Sequence, residues 1–417
     1  MSAQSKKILV VGGGISGMTA ATEAAEVGYE VVLVEKEPFL GGRVARMYQY
    51  FPKMCPPPCG LEINIKRIKN NERIEVHTMA EVADVSGEAG NFTVKIKKKP
   101  RYVTGNKPIT KAHMDAVKTE IKNDFNLGMN TTKALYMPYT LAFPNIHVLD
   151  KDALTSEEVE ALSKIEPKEA IDLDMQEEEI ELNVGAIVLS TGWKPFDAAN
   201  MEDLGYGKYP NVIANVQMER LSAYNGPTEG KILRPSDNQE PKRVAFVQCV
   251  GSRDENHLPY CSGVCCMASL KQARYVRSQY PDAEITIFYI DIRTLGRLEK
   301  FYYELLEDDK VKFIKGKVPK ITEAANNNPV LHVEEMLDGK KAEEEFDMVV
   351  LASGVVPSTA EQKLPGAAVK YDDNGFVIDD PSTGIIGAGC VKRPIDVSRS
   401  VKDATAAALK AIQTVRR

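Results

Sequence analysis

Four of the seven cysteines, Cys249, Cys261, Cys265 and Cys266, are gathered in one short stretch at the spacing C-x11-C-x3-C-C. Convergent thiolates in that number ligate a zinc ion or a [4Fe–4S] cluster; the plain alternative is a set of buried, inert thiols. The spacing is neither the paired C-x2-C of common zinc sites nor the C-x2-C-x2-C run of ferredoxins. Cys249 ends an apolar strand-like run, and Cys265 and Cys266 open a helix-like segment. Cys261 stands one turn ahead of Cys265 if that helix has begun. A helix N-terminus there is expected to lower the thiol pKa values and favour an anionic set.

A second constellation stands near the start. Gly12-x-Gly14-x-x-Gly17 follows the apolar run 8–11 and precedes a helical pattern. The first glycine permits a tight turn, the second lets the backbone approach a pyrophosphate, and the third lets helix pack on strand. Glu35 closes the strand that follows this helix. An acid at that place can accept hydrogen bonds from a ribose diol. A glycine-rich turn in some other α/β fold is the alternative.

The elements that must position these residues recur. Residues 6–40 read as strand, glycine loop, helix and strand, with Gly28 ending the helix. Residues 74–99 read as alternating strands, and 100–183 is the least regular stretch. Residues 184–193 read as a buried strand ending in a tight turn, and 346–354 is its counterpart. A further strand, loop, helix and strand start near Lys242. The expected fold is α/β, with two doubly wound units: a first unit in 1–240, a second inserted at 241–355, and a return of the first in 356–417.

Composition bounds the function. With 417 residues, 43% of them hydrophobic, the chain is globular. That length predicts two or three domains. A net charge of −6 argues against a dedicated nucleic-acid binder. No signal peptide is expected at the start, and no window offers a membrane span, so direct membrane insertion is not expected. The segment 155–182 has eleven acids and two lysines. It reads as a solvated face, or more sharply as a docking face for a basic redox partner. The basic run 95–101 reads as a solvated strand edge. The five histidines form no ligand pattern, with His257, ahead of Cys261, the one of interest. Trp193 is expected to pack near the nucleotide. No arrangement supports hydrolase chemistry.

The residues Gly41, Gly42 and Arg43 after the second strand, with Ser190, Thr191 and Gly192, resemble the flavin-binding two-dinucleotide-domain family that includes thioredoxin reductase. The resemblance implies FAD, with Glu35 on the ribose, Gly42 and Arg43 along the diphosphate, Thr191 and Gly192 closing on the nucleotide, and contacts from Ser16, Lys36 and Val82. Gly389 and Cys390 stand where this family has Gly-Asp near the flavin; the helix that follows is expected to aim its N-terminus at the flavin. In this family the inserted unit carries its own glycine loop for NAD(P)H. The matching turn here is Cys249-Val-Gly-Ser-Arg-Asp, with no GxGxxG, so direct NAD(P)H binding is not expected.

The stretches QCVGSRDENHLPYCSGVCCMASLKQA, FYIDIRTLGRLEKFYYE and PRYVTGN…KALYMPYTLAFPN resemble the A subunit of heterodisulfide reductase. The likeness spans nearly the whole chain. It implies a [4Fe–4S] cluster on Cys249, Cys261, Cys265 and Cys266. Methanogen members are longer and carry ferredoxin-type cysteine runs; residues 103–130 here hold no cysteine. The short form is most similar to the A subunit of the quinone-interacting membrane-bound oxidoreductase of sulfate reducers. That likeness implies an oxidoreductase component without catalytic side chains of its own, passing electrons between the menaquinone pool and adenylylsulfate reductase. It implies as partners a related flavin and iron–sulfur B subunit, the membrane haem and iron–sulfur C subunit, and adenylylsulfate reductase itself. The expected location is cytoplasmic, membrane-associated through those partners.

Two alternatives stay open. One is an NAD(P)H-dependent disulfide reductase using Cys55 and Cys59 of the CPPPC segment, whose bridging needs a turn or a cis proline because an extended polyproline spans roughly 12 Å. The other is a non-catalytic assembly component with structural FAD and zinc.

Overall fold

The protein is described by a computed structural model covering residues 5–50, 53–337 and 339–416. Its first sheet has five parallel strands in the order 385–387, 186–189, 8–11, 31–35, 74–78. Ile8–Val11 is buried throughout, as a central parallel strand must be when both faces are covered. Its alternate residues serve two layers. Ile8 and Val10 face helix Ile15–Glu26, whose Ala20, Ala21, Ala24 and Ala25 pack with Ala404, Ala407, Ala408 and Ala411 of helix Val397–Arg416. Leu9 and Val11 face a three-stranded antiparallel sheet through Val82, Phe92, Val94 and Ile96. Small residues on both helices let the backbones come close beside the sheet.

The second sheet has seven strands in the order 212–214, 348–353, 243–250, 284–289, 311–323, 329–335, 341–345. The first five are parallel and the last two antiparallel. Phe246, Ile287 and Val350 pack under Met267, Leu270 and Val276 of helix Cys265–Gln279; Val247, Val349 and Leu351 face the other layer. This sheet takes its edge strand, Val212–Ala214, and helix Asn215–Ser222 from chain ahead of residue 241. Residues 193–195 and 355–357 pair antiparallel where the chain passes between the two sheets.

Two expectations about charge change. The lysine-rich run is no strand edge: Asn91–Lys98 is the central strand of the three-stranded sheet. Lys95 and Lys97 face Asp84 and Glu81 on one side and Glu181 and Glu179 on the other. Lys98 and Lys97 also pair with Glu178 at 3.0 Å and Glu177 at 3.6 Å. Part of the acidic segment is therefore internal counter-charge. Each pair is exposed and contributes at most about 1 kcal/mol; together they fix which strands meet. The stretch 101–176 is also more ordered than its pattern suggests. Val103, Val117, Leu135, Leu149 and Leu162 make a small core under short strands. Among the described residues no helix is long and apolar enough to cross a membrane.

Candidate functional site: a dinucleotide cavity beside a four-cysteine pocket

The glycine loop performs three separate tasks. Gly12 has φ +102°, and a Cβ there would lie 2.5 Å from the Ser190 carbonyl oxygen. Gly17 sits so close beneath the loop that a Cβ would fall 1.7 Å from the Gly12 carbonyl oxygen. Gly14 has nothing within 4 Å of its Cβ position and lines a cavity of about 330 Å³. The loop is pinned by Glu35, whose carboxylate accepts from the Gly13 N–H at 2.6 Å and the Glu37 N–H at 2.8 Å.

Of the residues expected to contact a nucleotide, Gly12, Gly14, Ser16, Glu35, Lys36, Gly42, Arg43, Val82, Thr191, Gly192 and Cys390 line this cavity. Gly17 and Gly389 lie behind the wall; a Cβ on Gly389, φ +73°, would meet the Ser16 hydroxyl at 2.2 Å. Arg43 lies over the Trp193 ring at 5.4 Å and donates to the Trp193 carbonyl, and burial pulls its pKa down to about 10. Trp193 itself lines the cavity. Cys390 is buried, its thiol near the Ile395 carbonyl at 3.4 Å and pushed up in pKa by burial. The carboxylate at this corner comes instead from Asp403, which accepts from the Gly389 N–H at 2.8 Å. Ile395, Asp396, Val397 and Ser400 bring the start of the last helix to the cavity wall.

Burial raises the Glu35 carboxyl to about 7 against its backbone hydrogen bonds. Between 4.5, its ordinary value, and about 7 the folded chain holds a proton that the unfolded chain lacks. Ionising Glu35 therefore costs stability as pH rises through this window. A ribose diol donating to this carboxylate favours the charged form. FAD affinity of the apoprotein is therefore expected to rise by up to about tenfold per pH unit below about 7, and to level off above it. Fluorescence titration of FAD at several pH values measures this. Glu35→Gln should flatten the curve, and a flat wild-type curve would refute the assignment.

The four clustered cysteines meet in a second, small pocket with Arg253, Asp291 and Arg293. Cys249 sits in an irregularity at the end of strand Arg243–Val250. It has φ 62 and Arg253 has φ 59, so this turn holds two non-glycine residues in the left-handed region. Such conformations persist only where the surroundings enforce them. Cys265 and Cys266 are the first two helical residues; Cys261 is in the preceding loop, so the expected one-turn relation between Cys261 and Cys265 does not hold. The Cys261 sulfur accepts from the Gly263 N–H at 3.3 Å. The Cys265 and Cys266 thiols reach the Ser353 and Asp291 carbonyls at 3.5 and 3.7 Å. Arg253 and Arg293 pair with Asp291 at 2.6 and 3.4 Å.

The expected lowering of thiol pKa is reversed. Burial first, then mutual repulsion of the thiolates, pushes Cys265 up and brings Cys266 to about 11; burial likewise raises Cys249. Two buried and two half-buried thiols that would repel one another as anions suit a bound cationic centre, which offsets that repulsion. The donor set thus fits thiolate ligation in its chemistry. Among the described residues no group of three or more His, Cys, Asp or Glu side chains is placed to hold a metal ion.

The two sites adjoin. Val264 lines both pockets, and Ser353, whose carbonyl faces Cys265, lines the larger one. Cys55 and Cys59 line neither; both are free, with Cys59 exposed on helix Pro58–Lys69. Tyr50, which does line the cavity, stands near them, its hydroxyl pKa raised by burial and then by both thiols. His257 packs edge-on against Phe196 and is absent from the cysteine pocket.

One part of the cavity was not anticipated. Lys271 and Glu219 form an ion pair at 2.9 Å with side chains 5% and 8% exposed, and both line the cavity. Lys271 also donates to the Gln49 carbonyl at 2.6 Å. Glu219 accepts from the Tyr48 N–H at 3.1 Å and the Gln272 amide at 2.7 Å. The available signal is Lys271 lying four residues after Met267, on the buried stripe of its helix, where side chains at that spacing share a face.

A family model described as FAD dependent oxidoreductase matches residues 7–119. Two thioredoxin reductases share the fold: that of T. acidophilum, with TM-score 0.57, 14% identity and 99% and 100% coverage of the two chains, and that of Lactococcus lactis, with TM-score 0.54, 14% identity and 99% of each. Sheet, glycine loop and cavity thus follow the fold of the thioredoxin reductases, with an FAD dependent oxidoreductase model matching the first part of the chain. Over nearly its whole length the chain is similar to A subunits of heterodisulfide reductases. The A subunit of the ferredoxin/F420H2-dependent CoB-CoM heterodisulfide reductase of Methanosarcina acetivorans is 38% identical over 99% of this chain and 53% of its own. The second iron-sulfur A subunit of the CoB–CoM heterodisulfide reductase of Methanopyrus kandleri is 38% identical over 97% and 64%. The A subunit of the H2:CoB-CoM heterodisulfide,ferredoxin reductase of Methanothermobacter thermautotrophicus is 37% identical over 97% and 63%. The chain therefore spans between about half and two thirds of the length of these relatives.

Proposed function

We propose that this chain is the FAD- and iron–sulfur-containing electron-transfer component of a heterodisulfide-reductase-like complex. The observation that carries the reading is the four-cysteine pocket placed against the dinucleotide cavity with Val264 in both walls. Cys249, Cys261, Cys265 and Cys266 would hold a [4Fe–4S] cluster, whose thiolates spread around a body larger than one zinc ion. Bound FAD takes up electrons singly or in pairs, so it can join a one-electron centre to a two-electron partner. The protein's part would be to hold the nucleotide on the glycine loop, with Lys271 and Cys390 in the same cavity wall available to the flavin end. The nucleotide contacts are the cavity-lining residues above, with Gly17 and Gly389 shaping the wall.

The domain reading that fits this role is an FAD unit formed by residues up to about 205 and from 356 onward, with the second sheet as the cysteine-bearing unit. The finer reading is a quinone-linked complex of sulfate respiration at the cytoplasmic membrane face. Its partners would be a related flavin and iron–sulfur B subunit, the membrane haem and iron–sulfur C subunit, and adenylylsulfate reductase. Its support is the likeness of the stretches quoted above to the A subunit of that complex.

Anaerobic purification with flavin and iron counting tests the central claim. The expected result is iron that disappears in Cys261→Ser and Cys265→Ala while FAD stays bound. Zinc without iron, unchanged iron in both variants, or rapid flavin bleaching by NADH or NADPH alone would each overturn it.

A further inference from the structure

The start of the last helix carries a negative charge into the cavity wall. Asp396 immediately precedes helix Val397–Arg416. Its carboxylate accepts from the Arg399 N–H at 2.9 Å, and its carbonyl accepts from the Ser400 N–H at 2.9 Å. This is the geometry of an N-cap, a place that asparagine or serine fills as well as aspartate. The fold therefore needs an acceptor here but not a charge. The second carboxylate oxygen lies 3.4 Å from the Arg399 guanidinium, with the Asp396 side chain 28% and the Arg399 side chain 46% exposed. Asp396 lines the cavity. Asp403, the other carboxylate of this corner, is tied to the Gly389 N–H at 2.8 Å and to Lys392 at 3.0 Å.

The walls say which end of a dinucleotide would lie here. Glu35 marks the ribose end, and Gly14 and Ser16 mark the pyrophosphate. Gly389 presses on Ser16, and beyond it the chain reaches the cysteine loop: a Cβ on Gly263 would lie 3.8 Å from the Pro394 carbonyl oxygen. Val264 of that loop lines the cavity as well. Asp396 thus stands past the pyrophosphate, on the cysteine side, where the isoalloxazine end of FAD would lie.

A bare helix N-terminus presents partial positive charge and favours an anion in front of it. Two-electron reduction with uptake of one proton leaves a flavin with one added negative charge. The Asp396 cap uses one of the free N–H groups and brings a full negative charge to the same place. We infer that Asp396 lowers the potential of the bound flavin by opposing the helix dipole, with Arg399 as its counter-charge; this rests on the FAD reading above.

The test is an anaerobic redox titration of the purified full-length chain against reference dyes, followed by flavin absorbance. Asp396→Asn keeps the cap and should make the flavin easier to reduce, by about twofold to fivefold in the reduced-to-oxidised ratio at fixed potential, fivefold being about 20 mV for a two-electron couple. Arg399→Gln leaves the carboxylate without its counter-charge and should make the flavin harder to reduce. Opposite signs identify charge as the cause, because loosening of the helix start would move both variants the same way. An unchanged potential in Asp396→Asn with full FAD, or shifts of one sign in the two variants, overturns the proposal. If Asp396→Asn does not retain FAD, Arg399→Gln decides, and a potential that does not fall there overturns it. A wild-type chain that binds no FAD removes the nucleotide reading itself, which is a separate outcome.

Discussion

Gly14→Ala should fold with near wild-type thermal stability and lose its flavin, whereas Gly17→Ala should lose both. The two glycines share one loop, yet they face opposite sides. A Cβ on Gly14 enters open space in the cavity and meets nothing of the protein. Its penalty falls on a pyrophosphate brought against the helix N-terminus, where backbone N–H groups must approach closely. A Cβ on Gly17 meets the Gly12 carbonyl at 1.7 Å and the Ser190 hydroxyl at 2.7 Å. Neither can yield cheaply, because the Ser190 hydroxyl is hydrogen-bonded to the Val11 and Gly12 carbonyls at 2.9 and 3.0 Å. Overpacking in a core costs typically about 1–3 kcal/mol, and here, against backbone, we expect at least about 3 kcal/mol. Flavin absorbance per protein and thermal melting separate the two effects. Stoichiometric flavin in Gly17→Ala, or a large loss of melting temperature in Gly14→Ala, would contradict the division of labour.

The second large effect is expected at Lys271 and Glu219. Lys271→Met removes one charge of a buried pair and leaves the Glu219 carboxylate with neutral donors only, from Tyr48, Gln272 and Tyr275. Breaking a buried pair from one side costs about 3–5 kcal/mol, because the desolvated partner stays behind. Glu219→Gln should cost less, since an amide keeps part of the hydrogen bonding and Lys271 retains the Gln49 carbonyl. The double variant Lys271→Met, Glu219→Gln should recover a good part of the single Lys271→Met loss. Denaturant unfolding of the four proteins reads the coupling directly, and additive losses would show that the pair does not act as a unit. Flavin content should fall most in Lys271→Met, because the orphaned carboxylate lines the cavity.

What could be read from the chain alone follows the range of the interactions. The glycine loop and Glu35 are local devices, each fixed by a strand, a turn and a helix adjacent in sequence, so they were legible. So was the nearness of the four cysteines, since one loop and one helix start carry them. The protonation of those cysteines was not legible: the helix end argued for low thiol pKa, but burial, which only the packed second sheet supplies, outweighs it. The Lys271–Glu219 pair joins residues distant in sequence, on helices that meet only when both pack on one sheet. Between 101 and 176 short strands carry too few residues to show a period, and their core is visible only from the contacts.

The lysine strand between two acidic neighbours has a consequence at a distance. Lys95, Lys97, Lys98 and Lys99 stand against six acids, Glu81, Asp84, Glu177, Glu178, Glu179 and Glu181. At strand spacing, about 4.8 Å, four of the six negative charges are offset locally, and a net charge of −2 remains on this edge. An approaching molecule senses that remainder, not six separate carboxylates, and only within about one Debye length, roughly 8 Å in physiological salt. The edge stays acidic, at about a third of the strength its carboxylates alone would give.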